Sequence, residues 1–123
     1  MPVALLLAVA AFIEAATGAA LVVAPSTVGF LLLGNGLSGT GLSVGRLAGI
    51  ALLALAAGSW VGRQEPGRNA ALAAMLTYNV LAAIYLAYLG VEGAQVGKLL
   101  WPAVAAHAGL GLLLARAWLS YQP

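Results

Sequence analysis

The sequence predicts an all-α membrane protein: a bundle of four transmembrane helices, with a short interfacial or re-entrant segment between the first and second. Three observations predict it. Of 123 residues, 63% are hydrophobic and 7% charged, with a mean hydropathy of +1.05, whereas a soluble domain carries about a quarter charged residues. So few charges cannot cover a surface facing water. The apolar residues gather into four stretches of the roughly 20 residues that a helix needs to cross about 30 Å of hydrocarbon. Proline, glycine and charged clusters separate these stretches.

The first span is expected over Val3–Ala24, where Pro25-Ser26 stops it. Only Met1 and Pro2 precede it, with no basic residue, and its length of about 22 exceeds the 7–15 of a signal-peptide core. A retained span is the expectation. The connection from Pro25 to Gly41 holds the apolar run Val28–Leu33 and then a glycine-rich stretch, Gly34 to Gly41. It is expected to be either a short interfacial helix with a flexible loop or a re-entrant segment lining a cavity, because unpaired backbone at membrane depth needs protein or water around it. No Lys-Ser/Thr follows those glycines, so they do not make a phosphate loop.

The second span is expected over Leu42–Val61, ended by the polar turn Gln64-Glu65-Pro66-Gly67-Arg68, and the third over Asn69–Gly90, followed by Val91-Glu92-Gly93. The fourth, Leu99–Leu119, carries Pro102 in its first turn, where the missing N–H is tolerated. Together they form a single transmembrane domain across residues 1–123.

Four spans place both termini on one side. Arg63, Arg68 and Arg116 share that side, against Lys98 and the partly embedded Arg46 on the other. The excess of basic residues in short connections makes it the cytoplasmic side of an inner membrane. Trp60, Trp118 and Tyr121 fall at this interface and Tyr88 and Trp101 at the opposite one, as aromatic belts do.

Composition excludes several function classes. The five basic residues are scattered, so nothing supports nucleic-acid binding. The absence of cysteine removes disulfides, thiolate metal sites and thiol catalysis. One histidine is too few ligands for a metal centre, and neither a metal nor a cofactor is expected.

Small residues recur at helix-packing spacing. Gly41, Gly45 and Gly49 form two overlapping GxxxG steps, Gly58 and Gly62 a third, and Ala105 with Gly109 a related pair. The second helix is therefore expected to approach a neighbour closely, in this chain or in another copy. Ala11, Ala15 and Ala19 smooth one face of the first helix. The partners implied are the lipid bilayer and either further copies of the chain or a larger membrane complex.

Each span contributes one strongly polar side chain: Glu14, Arg46, Asn79 and His107. At 1.5 Å per residue, Glu14 lies roughly 15 Å, Asn79 about 16 Å and His107 about 12 Å from the end opposite the termini, with Arg46 only about 6 Å inside it. Embedded ionisable groups cost about 2.5–3.5 kcal/mol on insertion scales and turn inward to pair. Glu14 is accordingly expected to pair with Arg46, and His107 to hydrogen-bond Asn79, Glu14 or a tyrosine. Thr17 and Gly18 share the Glu14 face, three and four residues on. Tyr78 and Tyr85, seven apart, share a face and either wall a cavity or pack.

Two resemblances bear on this pattern. Arg46-Leu47-Ala48-Gly49-Ile50-Ala51-Leu52-Leu53-Ala54-Leu55, Tyr78-Asn79-Val80-Leu81-Ala82-Ala83-Ile84-Tyr85-Leu86 and Leu100-Trp101-Pro102-Ala103 resemble the small four-helix bacterial membrane proteins grouped as DoxX-like. That resemblance implies architecture and an accessory membrane role more than chemistry. Glu14, between Ile13 and Ala15, also makes the chain similar to small multidrug resistance transporters, which carry an essential glutamate in the first of four helices. Here that would imply a carboxylate that binds a proton or a cationic drug in a site assembled from two copies. The first connection is longer than in that family, and the third span lacks its glycine-rich bending pattern.

Three functions therefore compete. The first is a non-enzymatic accessory or assembly subunit, or homo-oligomeric scaffold, whose polar cluster specifies packing. The second is a proton-coupled transporter of cationic or lipophilic compounds using Glu14. The third is a protein that binds a quinone, lipid or haem, with Glu14 and His107 as an acid–base pair.

Overall fold

A computed structural model describes residues 1–121 as five helices: α1 Val3–Val23, α2 Pro25–Leu33, α3 Thr40–Val61, α4 Arg68–Glu92 and α5 Leu100–Tyr121. The chain is a membrane protein with a four-helix bundle: α1, α3, α4 and α5 are each long and apolar enough to cross a bilayer. Phe12, Leu47, Leu81, Ile84 and Leu112 point outward, forming a surface that suits acyl chains and not water.

Pro25 divides α1 from α2. Its ring disfavours helical backbone at the residue before it, and Ala24 accordingly sits at φ −137°. At the first position of α2 the missing N–H costs nothing. The segment between the first two spans is thus a nine-residue helix followed by the glycine-rich loop.

The bundle is two closely packed antiparallel pairs, α1 with α3 and α4 with α5. At the crossing of the first pair, Gly18 and Gly49 let the two backbones touch: a Cβ on Gly49 would lie 2.6 Å from the Gly18 carbonyl oxygen, and one on Gly18 would lie 2.7 Å from that of Gly49. The rest of this glycine face is also used inside the chain. Gly45 faces Leu37 and Pro25, and Gly41 lies in ordinary contact with Leu37. On α5, by contrast, Ala105 is exposed, and a Cβ on Gly109 would meet nothing within 4 Å.

The pairs join at both ends. At the end carrying the termini, Leu6, Leu7 and Ala10 of α1 form a buried cluster with Ala71, Leu72 and Met75 of α4 and Leu114 of α5. At the other end α2 reaches across to the loop between α4 and α5. The Leu32 carbonyl accepts from Gly97 N at 3.0 Å and the Leu31 carbonyl from Leu99 N at 2.8 Å. These carbonyls lie in the last turn of α2, which has no intrahelical donors for them. Gly97 sits so close to the Leu31 carbonyl that any Cβ there would collide with it.

The termini end also gathers polar and aromatic groups. Arg63 stacks on the Trp60 ring at 3.8 Å, Arg68 lies 3.6 Å from Glu65 and its guanidinium is 5.0 Å from the Tyr121 ring centre.

Candidate functional site

The two pairs part between their joined ends and leave a cavity of about 860 Å³. Small side chains on facing helices make the room: Ala16 and Ala20 of α1, Ala82 of α4, and Ala103 and Ala106 of α5 all line it. Val28, Leu31 and Leu32 of α2 cover one end, and leucines complete a mainly aliphatic wall. Leu81, Tyr85 and Ala106 both line the cavity and are exposed. Leu81 and Tyr85 lie in the second half of the 25-residue α4 and short of its last turn, so the mouth opens through the side of the bundle.

One stretch of the wall is polar. Asn79 is fully buried, and its Nδ2 donates to the Met75 carbonyl one turn earlier at 2.9 Å. Its Oδ1 lies 2.9 Å from His107 Nδ1 on α5, which ties the pair together at mid-span. The His107 ring meets Tyr78 edge-on, with centres 5.5 Å apart and planes at 84°. Tyr78 and His107 line the cavity while Asn79 stands behind them. Asn79, His107 and Tyr78 are therefore brought together, by α4 residues 78 and 79 and the α5 face opposite.

Glu14 enters the same region from α1. It is fully buried, and neither oxygen has a hydrogen-bond partner among the described residues. It is not part of the cavity lining.

The expected Glu14–Arg46 pair does not form. Arg46 is exposed, and its Nε donates to the Val22 carbonyl at 3.2 Å. The reason lies in the end of α1: the helix stops at Val23 ahead of Pro25, and the Val22 carbonyl in its last turn is left without an intrahelical donor. A cation is also favoured at the negative end of a helix dipole. α3 starts beside this end, and Val22 is eight residues, or about 12 Å along the axis, from Glu14. Arg46 therefore caps α1 and stands apart from the buried polar groups. The signal for this was the proline following an apolar helix with no basic residue in its last turn.

Thr17 and Tyr85 are likewise outside a buried cluster. Thr17 is exposed at the cavity edge, with Oγ1 donating to the Ile13 carbonyl at 2.9 Å. Tyr85 is exposed at the mouth and stacks with Tyr88, centres 6.3 Å apart. The sequence offers a cavity only as an alternative, walled by Tyr78 and Tyr85 or lined by the segment after Pro25, and both tyrosines and α2 do line it. Alanines 16 and 20, 82, and 103 and 106 were its trace, but alanine at these spacings equally describes close helix packing.

Compared with protein-family models, with curated proteins and with solved structures, the chain matches none of them.

Proposed function

We propose that this protein holds one lipophilic molecule with a single polar head group, admitted sideways from the bilayer. The observation that carries this reading is the cavity of about 860 Å³ with one polar wall, Tyr78 and His107, in a lining that is aliphatic apart from Thr17 and Tyr85 at its edge. The volume falls within the range of small-molecule sites, about 300–1,000 Å³, which combine an apolar lining with a few placed polar groups. The apolar lining suits an apolar molecule, and the Tyr78–His107 wall favours one with a head group over a plain acyl chain. The ligand's tail runs along the leucines and alanines and its head meets the imidazole.

This reading takes the place of Glu14-centred transport as the better supported one, because Glu14 is sealed from the cavity. An accessory or assembly role is compatible with it. Since Gly45 and Gly49 are covered by the chain itself, any helix contact with another protein would use a different surface, and the open Ala105–Gly109 face of α5 is available.

Ala106→Trp places an indole in the mouth. Native mass spectrometry of the purified wild-type chain is expected to find one lipophilic compound per chain, with occupancy reduced about tenfold or more in the variant, a loss of roughly 1.4 kcal/mol. Bulk phospholipid alone, in equal amounts in both proteins, would refute the reading.

The same proposal places both termini in the cytoplasm of a cell with the chain in its inner membrane, because Arg63, Arg68 and Arg116 lie at the termini end. Without native cysteine, single-cysteine labelling is unambiguous. Gln64→Cys is expected to react with an impermeant maleimide only after permeabilisation, and Gly93→Cys to react in intact spheroplasts. The reverse pattern would invert the topology.

A further inference from the structure

The hydrogen bonds around His107 restrict what its ligand can be. Asn79 Nδ2 donates to the Met75 carbonyl at 2.9 Å, and this contact sets the amide orientation, since turning the amide over would bring two carbonyl oxygens to that distance. Asn79 Oδ1 is thus the atom facing His107 Nδ1 at 2.9 Å. An amide oxygen only accepts, so the imidazole hydrogen must be on Nδ1. A neutral imidazole has one such hydrogen. Nε2 is left with a lone pair and no partner among the described residues, on a ring that lines the cavity and is held edge-on by Tyr78. Of the hydroxyls on the lining, Thr17 Oγ1 has committed its hydrogen to the Ile13 carbonyl, while those of Tyr78 and Tyr85 can donate or accept and so discriminate against neither kind of head group.

We infer that the cavity selects a lipid whose head donates a hydrogen bond, an aliphatic alcohol or a quinol, over the ether, ketone or quinone of the same shape, because Asn79 locks His107 with its Nε2 lone pair towards the ligand. The inference rests on the ligand-binding reading above. An acceptor-headed ligand would set its oxygen against that lone pair, while a hydroxyl supplies the missing hydrogen. Thus Asn79 is a positioning residue that acts through the histidine.

His107 is the only histidine in the chain, so a ¹⁵N-histidine label reports on this ring alone. In nanodiscs, the full chain is expected to show a protonated Nδ1 and an unprotonated Nε2. Four probes then test the selection: hexadecanol against hexadecyl methyl ether, and a decyl-substituted benzoquinol, kept reduced, against its quinone. Hydroxyl forms should move the Nε2 resonance upfield and bind about tenfold more tightly than their partners, as one well-placed hydrogen bond allows. Selection within the first pair marks an aliphatic alcohol as the source, and selection within the second a quinol.

Asn79→Leu should release the tautomer and reduce the preference to about threefold or less while the ether still binds. An Nε2–H tautomer or an imidazolium in the wild-type spectrum would overturn the inference, as would equal affinity within both pairs. If none of the four probes binds and Ala106→Trp leaves the co-purified material unchanged, the ligand-binding reading itself fails, an outcome distinct from binding without selection.

Discussion

Gly49→Val is expected to prevent the bundle from assembling. The first carbon added at that position would lie 2.6 Å from the Gly18 carbonyl oxygen, 2.9 Å from Leu21 Cβ and 3.0 Å from Val22 Cγ2. The nearest obstacle is backbone, so no side-chain rotation relieves it and α1 must move away from α3. Overpacking in a tight interior costs about 1–3 kcal/mol where side chains can adjust. Here they cannot, and the loss should exceed about 4 kcal/mol, the range reserved for a few severe mechanisms. Thermal unfolding in detergent with size-exclusion profiles measures it. Gly58→Val, also on α3, is the control: a Cβ there meets nothing within 4 Å, and its effect should stay within about 0.5 kcal/mol. Equal behaviour of the two variants would show that α1 and α3 do not cross at Gly18 and Gly49.

Glu14→Met is expected to have the opposite sign and make the protein more stable. The Glu14 side chain is fully buried with both oxygens unpartnered, and leaving a buried polar group unsatisfied costs about 1–3 kcal/mol, more for a charged one. Methionine has a similar length, adapts to irregular space and has no strong hydrogen-bonding group. The variant should therefore unfold at a higher temperature, with a gain of about 1–3 kcal/mol. Glu14→Ala should lack that benefit, because it exchanges the polar penalty for a cavity. A destabilised Glu14→Met would mean that the carboxyl group has a partner in the membrane. A gain would mean that the chain carries this glutamate against its own stability, as embedded ionisable groups kept for function do.

The polar residues mark how far the sequence could be followed. His107 with Asn79 was legible as a contact between helices because both are placed mid-span and an imidazole and an amide complement each other. Glu14 with Arg46 was not, since opposite charge alone suggested a pair and took no account of where α1 ends. The unsatisfied carbonyls of its last turn are nearer to Arg46 than the carboxyl group is, and reach decided the matter. Thr17 and Tyr85 share helical faces with Glu14 and Tyr78, but a shared face does not say how deeply a neighbouring helix covers it.

The sequence by itself determined that this chain crosses the membrane in four helices, because hydrophobicity sums along a contiguous stretch and proline and glycine interrupt it locally. Only the tertiary structure decided that the glycines of α3 close on α1, that α2 bridges the far end and that a cavity separates the two pairs. In lipid a helix is apolar on its inner and outer faces alike, so little periodicity remains to record which side meets a neighbour. That choice rests on backbone approach between residues distant in the chain, such as Gly18 with Gly49 and Leu31 with Leu99.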